Sequence, residues 1–243
     1  MKVLVIGDSC IDTFVYCNID RICPEAPVPV LQPVNTYHNP GMASNVAANL
    51  ESLGVEVDMI TNSDLIEKIR YVDNKSGQMI MRLDKNDICE SADDISIEIG
   101  KYDAIVISDY CKGFLSEEMI KAICKDTECP TFLDTKKKLG DWCKGVDFIK
   151  INKPEWEYNL DYKGDNVIIT MGSDGAEHKG EIFETEKVKV SDVSGAGDTF
   201  MAALVYKYVY GIIIMKQRDI RLAIDFANKC ASKVVQERGV SVL

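Results

Sequence analysis

Short, almost wholly apolar runs recur along the chain, each ending on a polar residue. They are Val3 to Asp8, Ala104 to Asp109, Thr131 to Asp134, Phe148 to Asn152 and Val167 to Thr170. Runs of this length without a polar face suit strands buried on both sides of a parallel sheet. Between many of them the apolar spacing becomes helical. Met42 to Leu53 carries Val46, Leu50 and Leu53 on one stripe and stops at Gly54, a residue suited to the position just past a helix end. Ser116 to Lys125 opens with a capping serine and two acids in its first turn, which favour a helix start. Asp198 to Tyr210 and Asp219 to Glu237 are the two longest helical stretches. The alternation predicts a doubly wound α/β layer structure.

Two segments break the alternation. Val28 to His38 reads as extended and punctuated by proline, and Arg70 to Asp84 reads as a hairpin turned at Asn74-Lys75-Ser76-Gly77. Such strands do not join a central parallel sheet easily. They predict a small β flap over one edge, with its strands within 20–40 and 70–84. No linker, repeat or low-complexity tract appears, so residues 1–243 read as one domain carrying that flap. In open α/β sheets ligands bind beyond the carboxyl ends of the strands. Asp8, Asp109, Asp134 and Asn152 fall there, though any such fold has polar strand ends.

The composition, 46% hydrophobic and 28% charged, is that of an ordinary globular protein. A formal net charge of −11 argues against nucleic acid or an anionic membrane as partner. The nine cysteines are scattered without a C-x-x-C, and there are two histidines, His38 and His178. That pattern fits no zinc site and reads as reduced thiols packed as small hydrophobes. The chain opens directly on a strand-like run with no signal-peptide pattern. The apolar stretch from Tyr206 to Met215 contains Lys207 and is too short to span a bilayer. A soluble, cytoplasmic protein is expected.

Chemistry concentrates in Asp192-Val193-Ser194-Gly195-Ala196-Gly197-Asp198-Thr199-Phe200. Gly195 and Gly197 allow a sharp turn that exposes successive amides, and the helix that follows aims its positive end at the same spot. An anion would be stabilised there, with Asp198 beside it to accept a proton. The plainer alternative is a glycine turn followed by an acidic helix cap. Likewise Asn152-Lys153-Pro154-Glu155 reads as a capping box, a role compatible with a functional one. Neither G-x-x-x-x-G-K-[ST] nor an H-R-D/D-F-G set occurs, which disfavours other ATP folds.

The string from Asp192 to Phe200 resembles the C-terminal signature of the PfkB carbohydrate kinases, members of the ribokinase-like superfamily. The resemblance implies a ribokinase-like three-layer α/β/α fold with a mostly parallel central sheet and a small β lid. It implies ATP and Mg²⁺ as cofactors, Asp198 as the catalytic base, and Gly195, Ala196 and Gly197 as its anion hole. Gly41-Met42-Ala43-Ser44-Asn45-Val46-Ala47 resembles the N-terminal signature, whose asparagine, here Asn45, contacts sugar hydroxyls. Met42 stands where the family has a second glycine. Asn152-Lys153-Pro154-Glu155 looks like the N-x-x-E element that organises magnesium and the ATP phosphates, making Asn152 and Glu155 water-mediated metal contacts. Thr170, Gly172 and Gly175 match the T-x-G-x-x-G turn beside the nucleotide, and Asn228 falls where members line the nucleotide pocket.

A narrower resemblance points to the heptose kinases, the kinase half of the bifunctional ADP-heptose synthesis enzyme. It rests on Arg21-Ile22-Cys23-Pro24-Glu25-Ala26-Pro27-Val28-Pro29-Val30, on Ser108-Asp109-Tyr110-Cys111-Lys112-Gly113 and on Met81-Arg82-Leu83-Asp84. It implies ATP-dependent phosphorylation of D-glycero-D-manno-heptose 7-phosphate at the anomeric hydroxyl. Asp12 and Asn45 would hold sugar hydroxyls, and Arg82 and Lys112 are the cationic candidates for the sugar phosphate. The chain is shorter than that family between Met59 and Met81, which alters one wall of the sugar pocket. A PfkB-type kinase for another sugar or nucleoside, or a non-catalytic binding homologue, are the alternatives. No H-x-G-H-type motif occurs before Leu243, so no nucleotidyltransferase domain is expected. The extended flap could pair with a second copy, giving a homodimer through the lid strands.

Overall fold

Alternation within the apolar runs decides how the layers form. In β1 (Lys2–Gly7), Val3 and Val5 enter one core while Leu4 and Ile6 enter another, and all four are buried. Successive strand residues face opposite sides, so a strand without a polar position needs cover on both. The structure, a computed structural model, describes all residues except 94, 99 and 238.

After β1 come β2 (Ser9–Asn18), β3 (Gln32–Met42) and α1 (Ala43–Ser52). Next are β4 (Glu56–Thr61), β5 (Glu67–Asp73), β6 (Met79–Lys85), β7 (Ala104–Asp109) and α2 (Glu117–Lys125). The second half holds β8 (Thr131–Thr135), β9 (Phe148–Asn152), α3 (Lys153–Glu157), β10 (Val167–Thr170), β11 (Ala176–His178) and β12 (Glu181–Phe183). It closes with α4 (Ala196–Met215) and α5 (Ile220–Val234). The larger sheet has eight strands in the order β12-β11-β10-β9-β8-β7-β1-β4. It is parallel from β4 to β10 and antiparallel across β11 and β12. α1, α4 and α5 pack together on one face, and α2 covers the other through Ile120 and Ile123. The result is the three-layer arrangement expected from the apolar runs.

The helix boundaries follow their caps. Ser116 accepts from the amide of Met119, and Asp219 accepts from Arg221 and Leu222. α4 is longer than the predicted 198–210. By length and composition it could cross a membrane. Here its residues from Asp198 to Val205 are buried in the core and it carries a carboxylate at its start.

The smaller sheet has four strands in the order β3-β2-β5-β6. The hairpin predicted over 70–84 is β5 and β6, beginning at Glu67. The extended segment predicted from Val28 is β3, running from Gln32 to Met42, and its prolines Pro33 and Pro40 are tolerated because it is an edge strand. β2 was not expected. It lies outside both predicted flap segments yet occupies the middle of this sheet. Within 20–31 the only pairing among the described residues outside β3 is the isolated bridge of Ile22 to Pro29. The chain leaves the larger sheet for the smaller one just after Gly7, where a Cβ would lie 1.9 Å from the Ser108 carbonyl oxygen, so only glycine fits.

Candidate active site

Asp198 sits in the first turn of α4, 4% exposed. Gly195 precedes the helix at φ 80, a conformation that glycine adopts freely. The bond from Thr199 N to Gly195 O, 2.9 Å, closes the first turn, and the amides of Gly197 and Asp198 face the open end of the helix. Each oxygen of the carboxylate has its own donor. Asn45 Nδ2 donates to Oδ2 at 2.9 Å, and the Tyr110 hydroxyl donates to Oδ1 at 2.7 Å. Asn45 is held in turn, since Asn49 Nδ2 donates to its Oδ1 at 3.1 Å and Thr199 Oγ1 donates to Asn49 at 3.2 Å.

Burial pushes the Asp198 carboxyl up to about 6, against the pull of its two donors and the positive charge of Lys150. Desolvation, then the charges of Asp198 and Asp134, hold the Tyr110 phenol well above its ordinary value, so it stays a donor.

Two lysines stand next to this carboxylate. Lys150 on β9 is 4% exposed and bonds Asp134 Oδ2 at 2.5 Å. Its Nζ lies 3.0 Å from where a Cβ on Gly197 would sit. Lys136 pairs with Glu155 and has its Nζ 5.2 Å from the centre of the Tyr110 ring. Burial opposes the charge of Lys136, but Asp134, Glu155 and Asp198 outweigh it and raise its pKa.

Two cavities abut the turn from Gly195 to Gly197. One, of about 340 Å³, is lined by Ala196 and Gly197 and by the predicted Thr170, Gly172, Gly175 and Asn228, with Val188, Val193 and Phe200 as apolar walls. Asn228 is buried, and its Nδ2 donates to the Phe183 carbonyl at 2.8 Å, so it also anchors β12. The other, of about 410 Å³, lies on the smaller sheet against Phe14, Tyr16, Asn35, Tyr37 and Asn39, with Gly239 and Val240. Val240 stands 3.1 Å from where a Cβ on Gly195 would be.

The remaining predicted residues are placed as follows. Asp12 is buried and ion-paired with Arg70, whose guanidinium lies 5.1 Å above the centre of the Phe14 ring. A Cβ on Gly41 would come within 2.4 Å of Asp12 Oδ2, so this glycine permits the close approach of β3. Met42, in place of the second glycine, keeps a glycine-like backbone at φ 59 and ψ −130. Arg82 is half-exposed and donates to Asp84, and Lys112 is bound to Asp87 at 2.6 Å. Neither cation lines the two cavities.

Asn152 and Glu155 form the capping box, Asn152 Oδ1 accepting from Glu155 N and Glu155 Oε2 from Asn152 N, both at 2.8 Å. Lys153 and Pro154 are exposed at the start of α3. None of these four residues lines either of the two cavities. The Asn152–Glu155 donor set is all oxygen, as magnesium demands, and too sparse to hold the ion alone. It therefore fits an ion that arrives on phosphates and keeps most of its waters.

Tyr110, Lys136 and Lys150 complete the site without having been assigned a role from the sequence, and Asp134 joins them from the strand ends where a ligand was expected. Tyr110 was visible only as a letter of the Ser108–Gly113 motif. Lys150 did carry a signal: a lysine inside an apolar run that is buried on both faces is rare unless paired.

Residues 67–242 match the family described as pfkB family carbohydrate kinase. Among curated proteins, the chain is 29% identical over 290 residues to the bifunctional protein HldE of Campylobacter jejuni subsp. jejuni serotype O:6, covering 98% of this chain and 62% of that one. It is 28% identical over 299 residues to the protein of the same name from Nitratiruptor sp., covering 99% and 62%. The chain thus spans about three fifths of the length of these relatives. Among solved structures it is similar to a ribokinase from Thermotoga maritima, with TM-score 0.67, 17% identity and coverage of 98% of this chain and 94% of that one. It is similar also to a nucleoside kinase from Methanocaldococcus jannaschii, with TM-score 0.68, 17% identity and coverage of 98% and 93%. These two likenesses establish a ribokinase-like fold.

Proposed function

The chain belongs to the pfkB family of carbohydrate kinases, and from that premise we propose that it transfers the terminal phosphoryl group of ATP to the anomeric hydroxyl of D-glycero-D-manno-heptose 7-phosphate. The observation that carries the reading is the pairing of a buried, doubly held Asp198 with the open amides of α4. With its pKa near 6, Asp198 is mostly ionised at neutral pH and ready to take the proton of a sugar hydroxyl. The Gly197 and Asp198 amides and Lys150 would meet the negative charge of the phosphoryl group in flight. The work of the protein is then positioning and charge stabilisation.

The cavity bounded by Thr170, Gly172, Gly175 and Asn228 would take the adenine nucleotide, its apolar walls suiting a base. Asn152 and Glu155 would hold magnesium through water, with Lys153 and Pro154 in the turn that carries them. Magnesium, when bound, supplies charge neutralisation of the phosphates. The smaller sheet would act as a lid, with Asp12 and Asn45 toward the sugar hydroxyls and Arg82 and Lys112 as the cations nearest a sugar phosphate. Its edge strands β3 and β6 would pair copies into a homodimer. The three sequence runs quoted above support the heptose phosphate, and a cytoplasmic setting follows from that substrate.

A second reading, a kinase for another sugar or nucleoside, is favoured by the second cavity. Its walls on the smaller sheet are asparagine and aromatic side chains, with no cation among the described residues, and only Asn62 to Ile66 connect β4 to β5. The test is Mg²⁺-dependent ADP release with heptose 7-phosphate and a panel of sugars and nucleosides, wild type beside Asp198→Asn. Turnover on the heptose phosphate that collapses in the variant supports the first reading. Turnover only on another acceptor transfers the assignment to the second.

A further inference from the structure

The base has a second holder besides Asn45. We propose that Tyr110 is a positioning residue that fixes the orientation of Asp198 and keeps it in its ionised form for the transfer step. The proposal rests on the reading of Asp198 as the base.

Two donors on different oxygens define the plane of a carboxylate in a way that one donor cannot. Here Asn45 holds Oδ2 and Tyr110 holds Oδ1, so the carboxylate cannot swing about its own axis without losing a bond. Each oxygen keeps a further lone pair for an incoming hydroxyl. Both bonds favour the charged form against the burial that disfavours it. The groups facing Asp198 come from every side. Lys150 on β9 and Lys136 after β8 are positive, Asp134 on β8 is negative, and Asn45 on α1 is a neutral donor. The Cys10 thiol on β2 is pushed up to about 12 and is neutral at working pH.

Tyr110 is itself fixed at both ends. Its backbone amide donates to Asp8 Oδ2 at 2.7 Å, and the amides of Lys112 at 3.2 Å and Phe114 at 3.3 Å enter the same carboxylate. Cys111 between them takes a left-handed φ of 56 that turns the loop. Lys136 stands over the ring and is tied to Glu155. A strand-end aspartate that gathers three amides of one short loop thus aims a hydroxyl at the base. A tyrosine that only packed would need none of this register.

The experiment is the pH dependence of kcat for Tyr110→Phe in the full chain, measured by ADP release on the best acceptor of the panel. Losing the Oδ1 donor should move the acid limb to higher pH by about half a unit or more. For a half-unit move the deficit should be about twofold near pH 6, approach about threefold at lower pH and shrink as pH rises, with KM for ATP little changed. Incorporating 3-fluorotyrosine at position 110, a stronger donor, should move the limb the opposite way, and it carries the test if Tyr110→Phe does not fold. An acid limb that stays put in the variant that folds overturns the proposal while Asp198→Asn remains inactive. If Asp198→Asn keeps its activity, the base assignment fails and the proposal with it.

Discussion

Lys150 and Asp134 stand opposite each other on the parallel strands β9 and β8, with Nζ 2.5 Å from Oδ2 and only 4% and 1% of their surfaces exposed. The other carboxylate oxygen, Oδ1 of Asp134, has no partner among the described residues. A buried pair of this kind contributes little net stability, yet removing one member strands the other charge in a dry interior. Next to Gly197, the pair serves the site more than the fold.

Lys150→Met should therefore destabilise by about 3–5 kcal/mol, and adding Asp134→Leu should recover most of that loss. Urea unfolding of the two single variants and the double variant measures the coupling. Turnover should stay low in the double variant, because no cation would remain beside the Gly197 amide.

Asp198→Asn should be more stable than wild type at alkaline pH. The folded-state carboxyl lies near 6 against an ordinary value of 3.8. Below 3.8 it is protonated folded or unfolded. Between the two values the folded state binds the proton more tightly, so stability falls as pH rises through about 6. The difference corresponds to roughly 3 kcal/mol at pH 8. Unfolding at pH 4, 6 and 8 should show a gap between variant and wild type that opens with pH, while turnover falls about a hundredfold or more.

At Met42, side-chain packing and backbone conformation pull in opposite directions. Its side chain is buried, 3% exposed, while its backbone at φ 59 and ψ −130 suits glycine. Holding such a conformation costs about 1–3 kcal/mol. Met42→Ala loses the packing and keeps the strain. Met42→Gly loses the packing but relieves the strain, offset in part by about 0.4–1 kcal/mol of unfolded-state entropy. Thermal melts should rank Met42→Gly above Met42→Ala, a reversal of the usual order of the two residues.

The two glycines at the start of α4 should respond differently to alanine. At Gly195 a Cβ would lie 2.7 Å from Asn45 Nδ2 in a left-handed backbone, so Gly195→Ala should displace the Oδ2 donor, reduce turnover about tenfold and destabilise by roughly 1–3 kcal/mol. At Gly197 the backbone is already helical and the nearest atom is Lys150 Nζ, at 3.0 Å, so Gly197→Ala should press on the buried Lys150–Asp134 pair but escape the left-handed backbone cost, and destabilise less than Gly195→Ala. Paired melts and turnover assays separate the two.

Much of this architecture could be read from the sequence because local pattern determines it. The doubly buried strands β1, β7, β8, β9 and β10 are apolar runs, and α1, α2 and α5 begin or end at caps that the residues announce. β2 escaped because Ser9, Asp12 and Thr13 interrupt its apolar residues and only Asp8 separates it from β1. Asp198 was legible because its glycines adjoin it in the chain. Tyr110 was not, since nothing local says that its hydroxyl reaches a residue 88 positions away. Lys112 looked like a free cation because Asp87 lies 25 residues away in the chain, whereas the pairing of Arg82 with Asp84, two residues on along one face of β6, was open to a local reading.

Asp198, the proposed base, is gripped from positions 153 and 88 residues distant in the chain. Contacts so far apart in sequence close late, since long loops must be ordered before they can be made. A refolding chain should therefore recover its ultraviolet signature of helix and sheet well before it turns over substrate. The lag between the two signals would time the final docking of α1 and of the loop after β7 onto α4, making catalysis itself the reporter of a finished topology.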